Sequence, residues 1–89
     1  GLVVAMGRCV ITPGAAEARE LAGIDPVEIL DRHAACDWSG LPPEDRATNA
    51  RALAHGGRIL SAYSIGHRVV WVITEADRSG TTILLPDEY

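Results

Sequence analysis

From Arg58 onward the chain changes to a strand-like rhythm. Arg58 to Ile65 and Arg68 to Thr74 are two runs rich in Ile, Val, Tyr and Trp, separated by Gly66-His67. A two-residue break that begins with glycine predicts a type II′ hairpin. Glu75 to Gly80 is a polar connection, and Thr81 to Leu85 is a third strand closed by Pro86. The earlier half reads as helix. Thr12-Pro13 offers a hydroxyl cap followed by proline in the first turn, and Gly23 is a natural stop. Asp25-Pro26-x-Glu28 repeats the start signal, and its helix places Val27, Leu30 and Ala34 on one face with His33 near the edge. Pro43-Glu44-Asp45 opens a third helix that runs to about His55 and ends at Gly56-Gly57. Arg8 to Thr12 reads as a short strand that adds a fourth, and residues 1–6 read as a frayed tail or an edge strand.

This order predicts one α+β domain over residues 1–89. Its N-terminal helices pack on one face of a three- to four-stranded antiparallel sheet built around a C-terminal β-meander. The hairpin sets Ile65 opposite Arg68 and Tyr63 opposite Val70, and opposed residues share a face. One face then carries Leu60, Ala62, Val69, Trp71 and Ile73, with Arg58 opposite Glu75 at its end. The other carries Ile59, Ser61, Tyr63, Arg68, Val70, Val72 and Thr74. The first is the expected seat of the helices. The second, with its hydroxyls, is expected to be half-covered or a binding surface. Arg58 and Glu75 read as a cross-strand ion pair, or as an arginine that holds an anion.

Composition narrows the classes. Eighty-nine residues make a globule of roughly 12 Å radius of gyration, too small for an enzyme with a separate cofactor domain. The 47% hydrophobic content supports a core. No apolar run approaches the roughly 18–20 residues of a spanning helix. The net charge is −4, and the basic residues are scattered arginines with no lysine. That balance argues for a protein partner or self-association over nucleic acid. No signal-like segment stands at the N-terminus, so the chain reads as cytoplasmic, with Cys9 and Cys36 as reduced thiols. His33 and Cys36 lack a second pair to complete a zinc quartet. No phosphate loop, dinucleotide fingerprint or nucleophile elbow is present, and no metal or cofactor is expected.

The stretch Trp71-Val72-Ile73-Thr74-Glu75-Ala76-Asp77-Arg78 followed by Thr81 to Tyr89 resembles a family of small bacterial proteins found on plasmids and other mobile elements. These are usually labelled plasmid-related, and some carry the label of a type I restriction subunit. The resemblance runs from about Ile11 to Tyr89. Its further marks are Arg32-His33, Asp37-Trp38, Asn49, Gly57-Arg58 and Leu60-Ser61-Ala62-Tyr63. Where the family has glycines flanking the Asp-Trp pair, this chain has Cys36 and Ser39. The family carries no established activity. The layout of helices followed by a sheet with His, Arg and Tyr is also similar, at fold level, to the barnase- and RelE-like small ribonucleases.

Three readings follow. The first is a regulatory protein-binding module of a mobile element, with Asp37, Trp38 and the hydroxyl-bearing sheet face as contacts. The second is a metal-independent endoribonuclease. His33 would be its acid or base, oriented by Asp37. Arg58 or Arg78 would hold the phosphate, and Ser61, Tyr63 and Thr82 would donate hydrogen bonds. RNA is a partner only under this reading, which requires His33, Arg58 and Tyr63 in one cleft. The third is a structural domain that forms homodimers through a sheet edge or face. His55 and His67 are assigned to solvent.

Overall fold

The computed structural model describes residues 3–89. The elements are β1 (Arg8–Ile11), α1 (Pro13–Ala22), α2 (Pro26–Ala34), α3 (Pro43–His55), β2 (Ile59–Ile65), β3 (Arg68–Thr74), β4 (Gly80–Leu84) and a 3-10 turn at Pro86–Glu88. The helix starts are chemical. The Thr12 hydroxyl accepts from the Ala15 amide and the Asp25 carboxylate from the Val27 amide, each just ahead of a first-turn proline. Gly23 ends α1 in the left-handed region, at φ 68°. At the hairpin Gly66 takes φ 62° while His67 does not turn positive, as a type II′ turn requires.

The four strands form one sheet in the order β1-β4-β3-β2. β2–β3 and β3–β4 are antiparallel, but β1 runs parallel to β4, with Arg8 beside Gly80 and Ile11 beside Ile83. The sheet is therefore mixed, which corrects the purely antiparallel expectation. The reason is non-local: β1 enters the helices directly, and only the last strand returns beside it. Of residues 1–6, expected as a tail or edge strand, those described form no strand. Val4 is buried and its amide donates to the Ala34 carbonyl. Residues 1–2 lie outside the described part.

The helix-covered face is the opposite of the expected one. Ile59, Ser61, Tyr63, Ile65, Val70, Val72, Thr74, Thr81 and Ile83 are all buried, and Ala15, Ala18 and Ile29 pack with Tyr63, Ile65, Val70, Val72 and Ile83. The other face is only partly covered: Ile73 and Leu84 on it are buried, Tyr89 lies edge-on to Trp71 and the start of α3 flanks it. Leu60, Ala62 and Trp71 are partly buried and Val69 is exposed. The two faces are nearly balanced in apolar side chains, five branched or aromatic residues of β2 and β3 on the buried face against four on the other. What sets the buried face apart is that its hydroxyls are satisfied from within. Along α2 the buried stripe is Ile29 and His33, four apart, while Val27 is 58% exposed. A second cluster joins Val4, Ala52 and Ile59 to Met6, Cys36, Trp38 and Leu53. No helix among the described residues is long and apolar enough to cross a membrane.

Candidate functional site

Two regions hold the side chains with chemistry to offer, one inside and one outside. Inside, His33 reaches from α2 into the sheet and is fully buried. Its Nδ1 lies 2.6 Å from Ser61 Oγ and its Nε2 2.7 Å from Thr74 Oγ1. Thr74 Oγ1 is 2.7 Å from Thr81 Oγ1, which donates to the Met6 carbonyl. Proton counting fixes the direction of this chain. A carbonyl only accepts, so the one proton of Thr81 goes to Met6. Thr74 must then donate to Thr81, and His33 Nε2–H must donate to Thr74. Nδ1 is left as the acceptor for the Ser61 hydroxyl. His33 is thus a neutral imidazole held in one tautomer, and burial lowers its pKa to about 4.

Both ring nitrogens are committed and no face of the ring meets solvent. Arg58 lies on the other face of the sheet, paired with Glu75 at 3.5 Å and with the Tyr89 hydroxyl. The Tyr63 hydroxyl donates to the Asp37 carbonyl at 2.8 Å, its ring lies 4.3 Å beneath the Arg32 guanidinium, and burial pushes its pKa up. The structure therefore does not bring His33, Arg58 and Tyr63 into one cleft.

The remaining sequence candidates have local tasks. Asp37 pairs with Arg32 at 2.8 Å and accepts from Ser39; that hydroxyl, then the arginine, holds its carboxyl below the usual range. Ser61 belongs to the imidazole chain. Trp38 packs in the second cluster, with its buried Nε1 unpartnered among the described residues. Arg78 is spent on backbone. Its guanidinium donates to the carbonyls of Gly57, Glu75, Ala76 and Ala52, tying the end of α3 to the β3–β4 turn. Thr82 sits on the helix-free face between Ile73 and Val10. His55 and His67 are exposed.

Outside, the helix-free face of the sheet meets the start of α3 in a groove of about 430 Å³. Leu41, Leu60 and Trp71 supply its apolar wall, and Asp45, Thr48, Asn49 and Arg58 its polar rim. Tyr89 extends the wall, edge-on to Trp71 with ring centroids 5.8 Å apart. Asn49 shapes the floor. Its amide donates to the Leu60 carbonyl at 2.8 Å and accepts from the Leu60 amide at 3.2 Å, so one side chain serves as a strand partner at the β2 edge. The Asp45 carboxylate has no partner among the described residues. Val69 and Val10, 44% and 47% exposed, extend the apolar surface across the same face.

Sequence reasoning placed Trp71 in the core and so missed this groove. A signal was available: Arg8, Arg58, Ser64 and Glu75 share strand parity with Trp71, and charges at both ends of a face mark its solvent side. No known protein family, no curated protein and no solved structure matches the chain.

Proposed function

We propose that this protein is a protein-binding module whose docking surface is the helix-free face of the sheet. The carrying observation is the groove that sets Trp71, Leu60 and Leu41 beside an unpartnered carboxylate, Asp45. A partly buried tryptophan in a concave apolar wall is a common anchor of a protein interface. Arg58 is held by Glu75 and Tyr89, so the uncompensated charge at the rim is negative. The partner is a polypeptide segment that inserts an aliphatic or aromatic side chain against Trp71 and sets a Lys or Arg against Asp45. The net charge of −4 favours the same chemistry. A regulatory role on a mobile element, supported by the resemblance, and a cytoplasmic location are part of this proposal.

Selection from a displayed peptide library tests it. Enriched peptides should pair an apolar residue with a basic one and shift the amide resonances of Leu60, Trp71 and Asp45. Trp71→Ala should weaken them by about tenfold or more, in line with an interface anchor. Asp45→Lys should abolish the preference for basic residues. Peptides that bind Trp71→Ala unchanged, that map to the helical face, or that fail to enrich would overturn the proposal.

A further inference from the structure

The two edges of the sheet are treated differently. At the β2 edge, the outward amide and carbonyl of Leu60 are taken by Asn49, and the loop after Trp38 passes so close that a Cβ on Gly40 would stand 3.0 Å from the Ala62 carbonyl oxygen. The β1 edge has no such cover. The Arg8 amide donates to the Ser79 carbonyl and the Thr12 amide to the Ile83 carbonyl. The even-numbered residues of β1 therefore turn their backbone toward β4, and Cys9 and Ile11 turn theirs outward. No described residue bonds those outward groups, and Arg8, Cys9 and Val10 are exposed. An uncovered strand of this kind is a template for another strand.

We infer that β1 pairs with β1 of a second copy, antiparallel across a two-fold axis through Val10, to form one continuous eight-stranded sheet. Three observations select a second copy as the occupant. First, the free groups are self-complementary: in this register Cys9 exchanges both backbone hydrogen bonds with Ile11 of the other chain. Second, the charges match. Arg8 has no side-chain partner among the described residues, and the register sets it opposite Thr12, whose hydroxyl lies 2.6 Å from the Glu88 carboxylate. Each copy thus meets an uncompensated arginine with a carboxylate, twice over. Third, an apolar groove of about 380 Å³ flanks the same edge, lined by Cys9, Val10, Ile11, Pro26, Leu30 and Ile83, and Val27 stands exposed beside it on α2. Pairing at β1 continues this apolar lining into its symmetry copy.

This inference does not depend on the groove at Trp71, which lies toward the opposite edge. Sedimentation equilibrium over a concentration series is the first measurement. The expected result is a mass approaching twice the 9.5 kDa of the chain. Arg8→Glu, which sets like charges together, should weaken association by about tenfold or more. Cys9→Pro removes only an outward amide, a change that edge strands tolerate, and should abolish it. In a Cys9→Ser background, Val10→Cys should form an intermolecular disulfide under mild oxidation, because a residue on the axis faces its own copy. Val69→Cys in the same background is the control, and Trp71→Ala should leave the mass unchanged. A chain that stays monomeric while Val10→Cys cross-links no faster than Val69→Cys overturns the inference. So does a dimer that survives Arg8→Glu. If Cys9→Pro fails to fold, Arg8→Glu and the cross-link decide alone.

Discussion

Burying His33 neutral makes the fold sensitive to mild acid. The imidazole titrates at about 4 in the folded chain against 6.5 in an unfolded one. Between those values the unfolded chain binds the extra proton, so stability rises with pH. The contribution is complete above pH 6.5 and is lost progressively as pH falls toward 4. At roughly 1.4 kcal/mol per pH unit, the fold gives up about 2 kcal/mol by pH 5 and about 3 kcal/mol in all. For a domain this small that is a large share of a total of about 5–15 kcal/mol. The acid-sensitive carboxylates, Asp37, Asp77 and Glu88, all have lowered pKa values, so their losses fall at more acid pH and leave the upper window to histidine. Urea denaturation followed by tryptophan fluorescence from pH 7.5 to 5 reads the slope. His33→Gln removes the titrating group but keeps a donor and an acceptor, and it retains His55 and His67. Its baseline should be lower and its slope nearly flat over the same window. Equal slopes in the two proteins, or a folded His33 that titrates near 6.5 by NMR, would refute the reasoning.

Substitutions at three further positions test the scaffold. Gly7 sits at φ 63°, and a Cβ there would stand 2.4 Å from the Arg78 carbonyl oxygen, so Gly7→Ala should cost at least about 2 kcal/mol in a denaturant titration. Asn49→Leu strips the β2 edge of its amide partner. A loss of about 1–3 kcal/mol is expected, with the Leu60 amide exchanging faster with solvent deuterium. Arg78→Met frees four carbonyls and should cost about 1.5–3 kcal/mol; Arg78→Lys should recover only part, because an ammonium lacks the planar fork.

The helices were legible because their signals are local. Thr12-Pro13, Asp25-Pro26 and Gly23 each act within a turn of chain, and Gly66 sets its hairpin alone. The face of the sheet was misread because Ser61 and Thr74 look like solvent-facing residues until their partner is known, and that partner, His33, comes from a distant helix. The same holds for polar side chains spent on backbone. Nothing near Glu88 says that its carboxylate receives the Thr12 hydroxyl and the Gly14 amide at the opposite end of the chain. Nothing near Arg78 says that it finishes α3. For the candidate groove, the residue types were visible but their convergence was not: Asp45 and Trp71 meet only because α3 crosses back to the β2 edge.

The parallel pairing of β1 with β4 has a consequence for synthesis. Arg8 leaves the ribosome long before its partner, Gly80. Until then β1 has no strand to join, the His33 chain lacks Thr81, and the Met6 carbonyl has no donor. Helices and hairpin form early from neighbouring residues, but closure waits for the C-terminal strand. Such late, long-range closure slows folding. It also leaves an adhesive strand exposed during the wait. A nascent chain stalled before β4 should therefore be captured readily by holdase chaperones, and its release should coincide with the appearance of Thr81 and Ile83.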